Sequence, residues 1–163
     1  MKKRFAAAPA LIAVFLTWNL ARLGAEEHSL RLGVGVEGNL NTDYGLALGR
    51  SIMVDFRYFK RIVPGAAVFI SDDFRLFTAV EPELFARWYA LPFGFKNGGL
   101  FVQADAGVSF TVERGGAFRP RFLGGLTGGF RLPFLGEDYY VEPYVRTGYP
   151  FIGAFGIRLG CRF

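Results

Sequence analysis

Phe155-Gly156-Ile157-Arg158-Leu159-Gly160-Cys161-Arg162-Phe163 ends the sequence. Phe155, Ile157, Leu159, Cys161 and Phe163 are apolar at every second position, and the residues between them are Gly or Arg. A β-strand points successive side chains to opposite faces, so this stretch predicts a strand with one apolar wall and one charged wall. A slip of one residue would exchange the walls, exposing Arg158 and Arg162 where the apolar set belongs. The pattern therefore specifies both a strand and its register.

The same period of two recurs upstream in about eight segments. The first, near residues 29–38, sets Leu30, Leu32, Val34 and Val36 against Arg31, Gly33, Gly35 and Glu37. The second, 45–59, sets Ile52, Val54, Phe56 and Tyr58 against Ser51, Met53, Asp55 and Arg57. The third, 62–71, alternates through Ile62, Pro64, Ala66, Val68 and Ile70. The fourth places Val80, Pro82, Leu84, Ala86 and Trp88 opposite Glu81, Glu83, Phe85, Arg87 and Tyr89. The fifth places Leu100, Val102, Ala104, Ala106, Val108 and Phe110 opposite Phe101, Gln103, Asp105, Gly107 and Ser109. The sixth spans about 119–131. The seventh sets Val141, Pro143 and Val145 against Glu142, Tyr144 and Arg146, and the eighth is 151–163. Turn signals separate them: Asn39 to Tyr44, Asp72-Asp73, Asn97-Gly98-Gly99 and Glu113 to Phe118.

The first 25 residues differ in kind. Met1-Lys2-Lys3-Arg4 is basic, Phe5 to Leu20 is mostly apolar, and small residues lead to Ala25. That is the layout of a secretory signal peptide cut after Ala25, leaving residues 26–163 as a single barrel domain. The apolar run is short of the ~20 residues of a spanning helix. Four of the 19 Lys and Arg fall in this leader and none of the 14 acids does. The rest of the chain is therefore close to neutral, which removes the electrostatic case for a nucleic-acid partner. A lone Cys161 forms no internal disulfide.

Alternation alone does not tell a soluble barrel from a membrane barrel. Three features favour lipid on the apolar side. The polar wall mixes both charge signs with Gly, Ser, Thr and Gln, as a narrow side-chain-filled interior requires. Outside the leader, the two lysines, Lys60 and Lys96, fall in turns. Aromatic residues gather near strand ends (Tyr58, Phe59, Trp88, Tyr89, Phe110, Tyr139, Tyr140, Tyr149 and Phe151), as they do at membrane–water interfaces. Arg50 breaks the rule by standing on the apolar phase of the second segment. It must either lie near the outer interface or follow a bulge that resets the phase.

The expected architecture is thus an all-β, antiparallel transmembrane β-barrel of about eight strands after a cleaved signal peptide. The terminal aromatic and the alternation before it resemble the C-terminal signal that bacterial outer-membrane barrels present to their assembly machinery. With the leader and the eight segments, the chain resembles the small eight-stranded group that includes OmpX, NspA and the OmpA membrane domain. The resemblance implies both termini on the periplasmic side and outward loops near Asn41, Asp72, Gly115 and Tyr149. Those loops are short for an adhesive member of the group. It also implies membrane lipid and, transiently, the assembly machinery as partners, with any surface or host ligand unspecified.

The polar wall offers Asp55, Arg57, Glu81, Glu83, Arg87, Asp105, Glu142, Arg146 and Arg158, read here as an interior ion-pair network, because buried charges need partners. A hairpin about Pro150 places Glu142 opposite Arg158. A hairpin about Lys96 places Arg87 opposite Asp105. Gly33-Val34-Gly35-Val36-Glu37-Gly38 matches a dinucleotide fingerprint literally, but it lies within a strand and no helix follows. Its glycines are better read as relief of crowding. One histidine, His28, far from Ser51, Ser71 and Ser109 along the sequence, gives no Ser-His relay, and one His with one Cys makes no metal site. The reading is a non-enzymatic envelope protein without cofactor or metal, serving envelope structure or surface interaction. The alternative is a narrow channel or a transporter for small or apolar molecules, like the similar OmpW proteins.

Overall fold

The computed structural model describes residues 30–42, 45–56, 62–73, 77–91, 98–113, 116, 118–135 and 138–163. The leader, its cleavage point at Ala25, His28 and Arg57 lie outside the described residues.

Eight strands follow one another in chain order: β1 (Leu30–Asn41), β2 (Gly45–Phe56), β3 (Ile62–Asp72), β4 (Phe77–Leu91), β5 (Gly99–Glu113), β6 (Phe118–Phe134), β7 (Tyr139–Tyr149) and β8 (Phe151–Arg162). Each pairs antiparallel with the next, and β8 pairs with β1, so the sheet closes into a barrel without an edge. Strands of 11 to 17 residues are long enough to cross a hydrocarbon core when tilted. The closing seam runs from Arg31 opposite Arg162 to Asn41 opposite Phe151. Beyond it, the Phe163 amide donates to the Leu30 carbonyl at 2.9 Å.

The two walls separate by chemistry. Outward positions carry Val34, Ile52, Leu84, Phe122, Leu126, Val145, Phe155 and Leu159, all more than half exposed. Inward positions carry Arg31, Glu37, Asp55, Glu81, Glu83, Arg87, Asp105, Arg131, Glu142, Arg146 and Arg158, all at most 6% exposed. This inverts a water-soluble protein, in which large apolar surface is buried and charge is left outside. Lipid is the solvent that suits it.

Several sequence expectations are corrected. The sequence predicts a turn from Asn39, but β1 continues to Asn41, because Asn39 points inward and its Nδ2 donates to Ser71 Oγ at 2.8 Å. Arg87 faces Gln103, not Asp105, whose partner is Phe85. A hairpin centre displaced by one residue moves every partner by two, and preserves the faces. Tyr89, Tyr140 and Phe151, counted among interfacial aromatics, face inward and are buried, whereas Trp88, Tyr139 and Tyr149 are exposed. The register is unbroken through Arg50, which pairs with Val36 on one side and Ile70 on the other. No bulge resets the phase, and Arg50 faces outward.

Candidate functional site: the charged interior

The interior is built in two layers. In the end of the barrel nearest Leu30 and Arg162, the central acceptor is Glu142 on β7. Its Oε1 accepts from Arg158 Nη1 at 2.7 Å and Arg87 Nη2 at 3.0 Å, and its Oε2 accepts from Arg131 Nε at 2.7 Å and Arg87 Nη1 at 2.8 Å. Glu142 and Arg158 are also direct partners across β7 and β8. Arg131 reaches onward to Asp55 Oδ2 at 2.8 Å, and Arg31 Nη1 lies 3.5 Å from Asp55 Oδ1. Four arginines thus converge on two carboxylates, with contact lengths typical of charge-assisted bonds at Glu142. Gln103 extends the layer: its Oε1 accepts from Arg87 Nε at 2.9 Å and Nη2 at 2.6 Å. Its Nε2 donates to Asp105 Oδ1 at 2.5 Å, and Asp105 Oδ2 accepts from Thr127 at 2.7 Å.

The layer nearer the β1–β2 hairpin reverses the balance. Among the described residues, Arg146 is the one cation within ion-pair reach of Glu37, Glu81 and Glu83, at 3.8, 3.7 and 3.8 Å. Among the described residues, none of its guanidinium nitrogens finds a hydrogen-bond partner, nor does Glu83 Oε2. Glu37 is held instead by the Tyr144 hydroxyl, which donates at 2.9 Å, and Glu81 by Ser109 at 3.0 Å.

Aromatic rings complete the packing. Arg87 lies over Phe101 at 4.0 Å, Arg131 over Tyr140 at 4.0 Å and Arg158 over Tyr144 at 4.3 Å from the ring centroids. Arg146 sits between Phe69 at 4.0 Å and Phe151 at 3.9 Å. A guanidinium is weakly hydrated and planar, so an aromatic face replaces part of its lost water. This explains why Tyr140 and Phe151 turn inward. Space for those rings comes from β1 and β8. A Cβ on Gly33 would stand 2.8 Å from the Tyr140 hydroxyl, one on Gly156 would stand 2.5 Å from the Tyr144 hydroxyl, and one on Gly160 would meet the Tyr140 ring.

Of the nine interior residues named from the sequence, eight are described, and all eight are buried inside the barrel. Sequence reasoning left out Arg31, Glu37 and Arg131. The first two stand on the polar phase of β1, so their signal was present. Arg131 lies three residues before the end of β6, a strand whose alternation is interrupted by Gly124, Gly125, Gly128 and Gly129. At the other wall, Phe155, Ile157, Leu159 and Phe163 are exposed and Cys161 is partly exposed. Among the described residues, no group of three or more His, Cys, Asp or Glu is arranged to hold a metal ion.

A closed antiparallel barrel of eight strands, apolar outside and charged within, has the fold of the small eight-stranded outer-membrane barrels. Comparison with solved structures gives the same fold. Neisserial surface protein A (NspA) matches with a TM-score of 0.65 at 9% sequence identity, over 86% of this chain and 99% of that one. The N-terminal β-barrel domain of Pseudomonas aeruginosa OprF matches with a TM-score of 0.62 at 11% identity, over 83% of this chain and 97% of that one. No protein-family model matches the sequence, and no curated protein does.

Proposed function

We propose that this chain is a non-enzymatic integral protein of the bacterial outer membrane, exported by residues 1–25 and folded as residues 26–163. Its barrel serves envelope structure or presents short loops at the surface. The observation that supports this most is the packing around Glu142, where three fully buried arginines share one carboxylate at 2.7 to 3.0 Å. Side chains so joined across β4, β6, β7 and β8 fill the lumen of an eight-stranded barrel rather than line a path through it. Phe155, Ile157, Leu159, Cys161 and Phe163 are proposed as the signal read by the assembly machinery.

A narrow channel is the second reading, and the wide spacing around Arg146 is what favours it. Ion pairs of 3.7 to 3.8 Å leave the layer nearer the β1–β2 hairpin less tightly joined than the layer around Glu142. Planar-bilayer recordings separate the two. The filled barrel gives no steady conductance, and Glu142→Gln leaves it silent or produces brief openings. Steady conductance in the native protein, changed by Arg146→Gln, would overturn the filled-barrel reading.

A further inference from the structure

We infer that Arg50 binds the phosphate of a lipid in the leaflet nearest the β1–β2 hairpin, on the outer wall of the barrel. The inference rests on the outer-membrane reading proposed above and on the orientation that the resemblance implies, with the β1–β2 hairpin outward. Among the described residues, only Arg50 and Asp72 carry charge on the outward-facing phase of the strands. Asp72 ends β3, where Thr78 Oγ1 lies 3.3 Å from it. Arg50 is different. It stands inside β2, with Leu48 and Ile52 before and after it on the same wall and Val36 and Ile70 directly across. All four neighbours are exposed apolar side chains that lipid would cover. Arg50 makes no ion pair or hydrogen bond to a described side chain.

A guanidinium facing hydrocarbon is costly, and the long side chain relieves the cost by extending along the wall toward headgroups. From β2 the shorter route runs past Leu48 and Leu46 to the β1–β2 hairpin, five residues from Arg50 to Gly45. An anionic headgroup oxygen at that level would accept from the guanidinium. Phosphate suits the role because it accepts the guanidinium's fork of donors in a bidentate, charge-assisted way. Asp72 offers a competing internal acceptor, two residues beyond Ile70 on β3 and directly across from Leu48, so the test must include it.

Detergent-purified protein is mixed with bis-phosphorylated lipid A as the probe, and bound lipid is counted by native mass spectrometry. Dephosphorylated lipid A is the control. The expected result is one lipid A retained by the native protein, about tenfold weaker retention by Arg50→Gln, and undiminished retention by Asp72→Asn. Equal retention of dephosphorylated lipid A, or equal retention by Arg50→Gln, would overturn the inference. So would a cross-linked dimer lost in Arg50→Gln while lipid retention is unchanged, since a second copy would then supply the acceptor. The same preparations are run unboiled and boiled on a gel. A heat-dependent shift with no effect of Arg50→Gln removes this inference alone, whereas absence of the shift removes the membrane reading beneath it.

Discussion

Glu142 and Arg158 face each other directly across β7 and β8, and Arg158 Nη1 donates to Glu142 Oε1 at 2.7 Å. The pair is not isolated, because Arg87 and Arg131 reach the same carboxylate from β4 and β6. One acid therefore joins four strands inside the barrel. Such a buried network is a weak source of net stability against an apolar core, yet removing one member leaves uncompensated charge.

Glu142→Gln is therefore expected to destabilise the folded barrel by about 3–5 kcal/mol. Urea unfolding in lipid vesicles, followed by tryptophan fluorescence, measures it. Glu81→Gln serves as the comparison. Glu81 keeps one hydrogen bond from Ser109 and one ion pair at 3.7 Å, so its loss is expected to be clearly smaller. Equal effects would contradict the layered interior.

The outer wall gives a test of the opposite kind. Leu84 is 70% exposed on β4, and in water its replacement by a charge would change stability by only about 0.5 kcal/mol. Against lipid, Leu84→Arg is expected to cost about 2–4 kcal/mol near the bilayer midplane. The same vesicle titration decides between these values.

The glycines facing Tyr140 and Tyr144 are a third point of leverage. Gly160→Ala would drive a methyl group into the Tyr140 ring and to 2.5 Å from the Leu32 carbonyl oxygen, and is expected to cost about 1–3 kcal/mol. Gly128 has open space where its Cβ would stand, so Gly128→Ala is expected to be neutral or slightly favourable. A cost at Gly128 matching that at Gly160 would refute the crowding explanation.

The fold was legible because lipid and a narrow lumen demand opposite chemistry, so each strand writes its orientation in alternate residues. β8 and β1 show this plainly. β6 does not, since Gly124, Gly125, Gly128 and Gly129 fit either wall, and Arg131 was missed with it. Aromatic residues were ambiguous for a related reason. Tyr89, Tyr140 and Phe151 suit a membrane interface, and they equally suit a stack on a buried guanidinium. The partnering of Glu142 with Arg158 followed from a short hairpin about Pro150, whereas Arg87 and Asp105 were mismatched because the β4–β5 connection is longer and its centre cannot be counted from residue types. Arg50 was seen as an exception, and only the unbroken register on both sides of it placed it on the outer wall.

The central claim is a closed barrel inserted in a membrane, and heat-dependent gel mobility tests it most directly. Every strand, β8 and β1 included, is paired on both sides, which leaves detergent no edge to open. Protein from the membrane fraction, loaded in detergent without boiling, is expected to migrate as a compact species and to shift once boiled. Protein found in the soluble fraction, with the same mobility before and after boiling, would contradict it.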